Sequence, residues 1–226
     1  MSGRTALVTG ANRGIGLEVA KQLAADGWSV WLTARDGAKA EAAADGLDAV
    51  RPLALDVSDP ASVEAAFETA RGAGPLHALV NNAGIDYDTD QAAATADLAR
   101  VRRAFETNLF GAWACAQAAA PALGEQDHSV IVNVSSEGGS LAGMGKNPPG
   151  YAASKAALNA LTRMLAAELA GQGTLVNAVC PGWTATDMGG GGRPVSEGAA
   201  SVTWGAELGP EGPTGGFYRD GRELPW

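Results

Sequence analysis

At 226 residues, 46% hydrophobic and 18% charged, the chain has length for one domain with a substantial core and lacks the composition of a disordered polypeptide. A net charge of −9 argues against a general nucleic-acid binder and against an anionic membrane surface as partner. Two cysteines, Cys115 and Cys180, make neither a disulfide framework nor a metal-ligand pattern, and no apolar run reaches the ~18–20 residues of a membrane span. With no charged-then-apolar leader before the first strand, the expectation is a soluble protein of the reducing cytoplasm.

In chain order, apolar runs of strand length alternate with helical patterns. Strands are predicted at Thr5–Thr9, Ser29–Thr33, Arg51–Asp56, Ala78–Asn81, Val130–Ser135 and Thr174–Cys180. Helices are predicted at Gly14–Asp26, Ala38–Asp45, Pro60–Arg71, Asp97–Leu123 and Tyr151–Ala170. After the glycine run Gly189–Gly192 come a short helix near Ser196–Glu207 and a last strand near Gly216–Tyr218. The strands are nearly continuous in Val, Leu, Ile and Ala, as in a parallel sheet buried on both faces. Such alternation predicts a single α/β domain over 1–226: a doubly wound, mostly parallel sheet of about seven strands with helices on both faces. The basic cluster Arg100, Arg102 and Arg103 falls within a helical pattern and reads as a solvated face.

The first strand runs into Gly10-Ala11-Asn12-Arg13-Gly14-Ile15-Gly16, and a helix opens there. Glycines at such a turn let the backbone approach a pyrophosphate, which the amides of the helix N-terminus hold. A glycine triplet alone is weak, but strand before and helix after give it the context of a dinucleotide site. At the end of the second strand, where a carboxylate would take the ribose hydroxyl of NAD, stands Ala34, followed by Arg35. Arg35 and Arg13 could accommodate a 2′-phosphate, which predicts NADP(H); Asp36 complicates the local field. Asp56 and Val57 close the third strand, either flanking an adenine or as a plain strand terminus.

Further along, Asn81-Asn82-Ala83-Gly84 ends the fourth strand, and Asn108 sits inside the long helical pattern, where asparagine is unfavourable unless networked or solvated. Ser135 and Ser136 end the fifth strand. Neighbouring strand residues point to opposite faces, so one of the two serines reaches the cleft. Tyr151 and Lys155 lie four residues apart, one helical turn, where an ammonium stabilises a phenolate and makes tyrosine a plausible acid or base.

These motifs occur in one order: Thr9-Gly10-x3-Gly14-Ile15-Gly16, Asn81-Asn82-Ala83-Gly84, Asn108, Ser136, Tyr151-x3-Lys155 and Pro181-Gly182. In this the chain resembles the short-chain dehydrogenase/reductase family, a Rossmann fold. Thr33-Ala34-Arg35-Asp36 and Pro181-Gly182-Trp183-x3-Asp187-Met188 are similar to its carbonyl-reductase branch. The resemblance implies a catalytic tetrad of Asn108, Ser136, Tyr151 and Lys155. Tyr151 would protonate the carbonyl oxygen as NADPH delivers hydride, with Ser136 hydrogen-bonded to that oxygen. Lys155 would hold the nicotinamide ribose, and Asn108 would position a proton-relaying water. It further implies cofactor contacts from the glycine loop including Asn12 and Ile15, and from Asn82, Ala83, Gly84, Pro181, Gly182, Thr184 and Thr186.

Ile85, Glu137, Leu141, Met144, Trp183 and Met188 are expected around a small-molecule carbonyl substrate. Thr184 departs from the usual Val or Ile at its position. The short Glu137–Gly150 interval leaves the Tyr151–Ala170 helix free to build a homodimer or homotetramer, with Ala156, Ala157, Leu158, Ala160, Leu161 and Leu165 as its apolar surface. The segment after Met188 is brief, which predicts an open site accepting many ketones or aldehydes. Two alternatives stand beside a ketone or aldehyde reductase. One is a 3-oxoacyl thioester reductase, with Arg100, Arg102 or Arg103 meeting an acidic carrier protein; the other is a non-catalytic NADP(H) sensor.

Overall fold

The computed structural model describes residues 3–226. Eight strands form among them: β1 (Thr5–Val8), β2 (Ser29–Ala34), β3 (Val50–Ala54), β4 (Ala78–Asn81), β5 (Ser129–Val134), β6 (Thr174–Val179), β7 (Phe217–Arg219) and β8 (Arg222–Glu223). They make one sheet in the order β3-β2-β1-β4-β5-β6-β7-β8. Every neighbouring pair is parallel except the terminal β7–β8 hairpin. The architecture is the expected doubly wound one, with one strand more than the sequence suggested. The order reverses between β1 and β4, and the crevice beyond the carboxyl ends of these strands is where such sheets bind ligands.

Seven α-helices cover the sheet: α1 (Gly14–Ala25), α2 (Gly37–Ala44), α3 (Pro60–Gly72), α4 (Leu98–Phe105), α5 (Ala112–Leu123), α6 (Pro149–Leu169) and α7 (Val195–Ala206). Two cores follow from strand alternation. Leu7, Leu79, Ile131 and Val176 point to the face covered by α3, α5 and α6. Ala6, Val8, Val80 and Val132 point to the face covered by α1, α2 and α7. Two-sided burial fails at the sheet's edges: in β8, where Arg222 and Glu223 are both exposed, and in β3, where Arg51 and Pro52 are exposed. An edge strand is the position in a sheet that tolerates proline.

The single helix expected over Asp97–Leu123 is interrupted. Between α4 and α5 the backbone widens into a π-helical turn, Glu106–Gly111. At its end a Cβ on Gly111 would lie 2.7 Å from Val57 Cγ2 and 2.9 Å from Val57 O, so glycine lets this turn press on the β3–α3 loop. The expected apolar pairing face of α6 is also narrower than the sequence indicated. Leu158, Leu161 and Leu165 are buried in the chain's own core, and the apolar residues this helix exposes are Ala153, Ala160, Met164 and Ala167, with Arg163 and Glu168 beside them.

A buried polar ladder ties α5 and α6 to the central strands. Asn81 Nδ2 donates to Ala112 O (3.1 Å) and to Asn133 Oδ1 (2.9 Å). Asn133 Nδ2 donates to Thr162 Oγ1 (2.9 Å), which itself donates to Leu158 O (2.8 Å). Both Asn133 and Thr162 are fully buried, and a buried polar group that loses its partner bears the whole desolvation penalty. Asn133→Ala takes one partner each from Asn81 Nδ2 and Thr162 Oγ1, which keep only Ala112 O and Leu158 O, and leaves a cavity between them; urea unfolding is expected to show a loss of about 2–4 kcal/mol.

Candidate active site

The site begins where β1 turns into α1. Gly10 and Gly14 have φ of 62° and 57°, the left-handed region that glycine enters without strain. A Cβ on Gly10 would meet Ala83 Cα at 2.9 Å, and one on Gly16 would meet Gly10 O at 2.9 Å as well as the Asn82 side chain. Asn82 Nδ2 donates to Thr9 O (2.9 Å) and Gly10 O (3.1 Å). The backbone N–H groups of Asn82 and Ala83 both donate to Thr9 Oγ1 at 3.0 Å. The loop is thus a cradle cleared of side chains, and no side chain caps α1 at Arg13. Its N-terminus faces a cleft of about 730 Å³, and such an N-terminus favours a phosphate. The residues present fit a dinucleotide.

The same cleft is lined by Gly10, Asn12, Arg13, Gly14, Ile15, Gly16, Arg35, Asp56, Val57, Asn82, Ala83, Gly84, Pro181 and Thr186. Ala34, Arg35 and Lys39, from the end of β2 and the start of α2, line it too; Lys39 escaped the sequence reading, although it sits in the first turn of the helix that follows Arg35. Asp36 is engaged elsewhere, since Oδ1 accepts the Ala38 N–H at 3.0 Å and caps α2. Arg13 is not free: it pairs with Asp187 at 2.8 Å across the mouth, both side chains more than two-thirds exposed. Asp56 accepts from Ser58 N (3.0 Å) and Ser58 Oγ (2.6 Å). The Ser58 hydroxyl holds its carboxyl below the usual carboxylate range.

Tyr151 and Lys155 lie in the first two turns of α6, at the far end of this cleft. Lys155 is buried, its Nζ 5.7 Å from the Tyr151 ring centre and donating to Val134 O at 2.7 Å. Burial pushes the Lys155 ammonium down to about 8. Burial also pushes the Tyr151 phenol well above its ordinary value; Cys180 and Tyr87 add to this, while the Ser136 hydroxyl pulls it down. Desolvation dominates, and the lowering expected from Lys155 is not among the influences on this phenol.

Of the two serines, Ser135 is buried and its hydroxyl donates to Asn159 Oδ1. Both line a second cleft of about 370 Å³ with Tyr151, and it is the Ser136 hydroxyl that bonds the phenol. Ser136 Oγ accepts the Gly138 N–H at 3.1 Å. Asn108 lies in the π-helical turn, fully buried. Oδ1 accepts from Ile85 N (2.8 Å), and Nδ2 donates to Ile85 O (3.1 Å) and Ser154 Oγ (3.0 Å). π-turns gather at functional sites, and here the wider turn seats an amide that an α-helical interior disfavours.

Around the second cleft stand Glu137, Trp183 and Met188 as expected, with Gly182 and Thr184; Ile85 lines the neighbouring dinucleotide cleft. Leu141 and Met144 line neither cleft. Ser140 Oγ donates to Pro225 O (2.8 Å) and Ala142 N to Trp226 O (2.8 Å), which pins this loop to the C-terminus and leaves Leu141 outside, 71% exposed. Thr184 turns inward, its hydroxyl 3.1 Å from Pro181 O and 3.0 Å from Gly182 O. There it steadies the loop, and Gly198 leaves it room. Tyr87, Asn147 and Cys180 also line this cleft and were missed. Tyr87 carried the clearest signal, an aromatic three residues after Gly84.

Comparison with known proteins agrees with this geometry. The family model for short chain dehydrogenase matches residues 4–194. Galactitol 2-dehydrogenase (L-tagatose-forming) of Cereibacter sphaeroides is 37% identical over 190 residues, covering 83% of this chain and 74% of that protein. NADPH-bound carbonyl reductase from chicken fatty liver superimposes with a TM-score of 0.88 at 30% identity, covering 100% of both chains. The 3-ketoacyl-(acyl-carrier-protein) reductase of Brucella melitensis, complexed with NADH, does so with 0.87 at 30% identity, covering 95% of each. A family model that matches most of the chain, and a relative 37% identical over 83% of it, show that the chain belongs to the short-chain dehydrogenase family.

Proposed function

We propose that the protein is an NADPH-dependent reductase of ketones or aldehydes, running in reverse as an alcohol dehydrogenase. One observation carries this: Tyr151 joins two clefts, lining with Lys155 the one that starts at the uncapped N-terminus of α1 and with Ser136 the second one beside it. A nicotinamide bound there supplies or accepts the hydride, and the chain's own residues orient the carbonyl and move the proton.

Ser136 Oγ already accepts from Gly138 N–H, so its own proton is left to donate to a substrate carbonyl oxygen. Tyr151 donates its phenolic proton to the same oxygen as negative charge develops there, the place where positioned donors lower a barrier most. Lys155 spends one of its three N–H donors on Val134 O, which leaves two for ribose hydroxyls and the phenol. The amide of Asn108 is committed to Ile85 and Ser154. A Cβ on Gly84 would lie 3.6 Å from Asn108 Oδ1 and 3.7 Å from Lys155 Nζ, so the missing side chain leaves space between them for the relaying water.

The preference for NADPH rests on Ala34 in the carboxylate's place and on Arg35, Lys39 and Arg13 around the adenosine end. The short loop after Gly182 is closed on itself by backbone bonds between Trp183, Ala185 and Arg193. Ile85, Trp183 and Met188 stay exposed at the mouth, which favours apolar ketones of varied shape. A 3-oxoacyl thioester reductase gains support from the Brucella melitensis neighbour. Against it, Arg100 is engaged by Asp86 and Asp90, leaving Arg102 and Arg103 for an acidic carrier. A sensor would have no use for the serine, tyrosine and lysine at the cleft end.

Tyr151→Phe is expected to lower kcat at least about 100-fold with NADPH affinity within a few-fold of wild type; near-normal turnover would overturn the assignment. Wild type is expected to favour NADPH over NADH, and Arg35→Ala to erode the ratio of their kcat/KM values about tenfold or more. The third expectation concerns stability. The Lys155 ammonium titrates near 8 when folded, against an ordinary 10.5. Below pH 8 both states hold the proton, and the folded protein bears the whole cost of burying the charge. Between about 8 and 10.5 the unfolded chain holds more protons, so stability rises with pH. Cofactor-free Lys155→Met, freed of that cost, is expected to melt above wild type at pH 7, with the gap closing by pH 10 and activity lost throughout.

A further inference from the structure

The catalytic helix begins badly by its own sequence. Its N-cap is Pro148, which has no side-chain acceptor, and its first turn contains no acidic residue. Yet its first donors are satisfied from another part of the chain. Asp88, in the loop that follows β4, accepts the Gly150 N–H on Oδ2 at 2.8 Å and the Tyr151 N–H on Oδ1 at 3.1 Å. Asp88 is 2% exposed. A carboxylate buried so deeply is tolerable when amides and a helix N-terminus receive it. The fit is close, since a Cβ on Gly150 would lie 3.0 Å from Asp88 Oδ2 and 3.4 Å from Val101.

The loop carrying Asp88 is anchored at alternate residues. Asp86 and Asp90 hold Arg100 of α4 at 2.6 and 2.8 Å, with Asp88 on α6 between them. Tyr87, between these anchors, faces the site. Its ring meets Tyr151 edge-on, centres 5.1 Å apart at 84°, and Trp183 at 5.7 Å. Nothing in the proposed chemistry uses Asp88 or Tyr87, yet one is bonded to the backbone of the proton donor and the other touches its ring.

Resting on the reductase proposed above, we propose that Asp88 is a positioning residue, a clamp that fixes the β4–α4 loop to the start of α6 so that Tyr87 and Tyr151 form one rigid wall of the substrate cleft. Tyr87 then determines specificity, because its ring closes the side of the cleft next to Trp183. Removing the clamp lets the phenol of Tyr151 drift from the carbonyl oxygen, and an error of about 1 Å there costs on the order of 100-fold in rate.

The test combines kinetics with amide exchange on Asp88→Ala, Asp88→Asn, Tyr87→Ala and the Asp88→Ala/Tyr87→Ala double variant. Asp88→Ala is expected to lower kcat/KM for an aryl ketone by about 10–100-fold, with the NADPH Kd within about two-fold of wild type. Hydrogen exchange at Gly150 and Tyr151 should quicken at least about tenfold, and Asp88→Asn, which keeps one acceptor, should recover part of both. If the clamp acts through Tyr87, the double variant falls little below the worse single variant. Strictly additive losses, or unchanged exchange at the two amides in folded Asp88→Asn and Asp88→Ala, overturn the proposal. A wild type without turnover on any carbonyl would overturn the reductase instead, and the exchange experiment would still decide whether the clamp exists.

Discussion

The close approach of the β1 and β4 ends is the contact on which everything else depends. Thr9 and Asn82 lock the two strand ends together through side chain and backbone. Gly10 and Gly16 are required because that lock leaves no room for a Cβ against Ala83, Asn82 and Gly10 O. The order of strands reverses here, so helices leave in opposite directions and a crevice opens between them. The uncapped end of α1 and the Tyr151–Lys155 end of α6 face one cleft as a result. Packing alone therefore requires these glycines, and the same bare backbone is what the proposed pyrophosphate site needs.

Burial sets a tension at the reaction end. Lys155 and Tyr151 are both pushed toward their neutral forms by desolvation; near neutral pH the lysine alone bears a stability cost, since the phenol is uncharged whether folded or unfolded. The polar ladder beneath them, through Asn81, Asn133 and Thr162, works in the other direction by fixing β4, β5 and α6 in one register. Rigid support lets the helix hold a poorly solvated lysine at a set distance from a phenol, which is what pre-organised electrostatics requires. Ser135 belongs to the support, bonded to Asn159, whereas the Ser136 hydroxyl bonds the Tyr151 phenol.

Features written in local periodicity were legible in the sequence. The strand runs, the glycine turn and the tyrosine–lysine spacing each depend on residues close together in the chain, and each stands where expected. What escaped was set by distant partners. Leu141 looks like a pocket residue until Pro225 and Trp226 claim its neighbours, contacts that reach across to the far end of the chain. The π-turn at Glu106–Gly111 leaves no pattern of its own, although the ill-suited Asn108 marked its position. The leucines of α6 could not be divided between core and surface without knowing which side of the sheet the helix covers.

The acidity of the chain sharpens the question of how it could receive a polyanion. A net charge of −9 repels phosphates at long range, but the Debye length of about 8 Å at physiological salt leaves the local arrangement to decide. Locally, Arg13, Arg35 and Lys39 line the cleft, and the Asp36 carboxylate among them accepts the Ala38 N–H at the α2 cap. Asp187 holds Arg13, but an exposed ion pair of this kind contributes at most about 1 kcal/mol. A phosphate meeting Arg13 gives up little by displacing Asp187, and the freed carboxylate returns to water where its charge is well solvated. Charge at the mouth is therefore held loosely enough to be exchanged, whereas the charge on Lys155 is fixed by the packing around it.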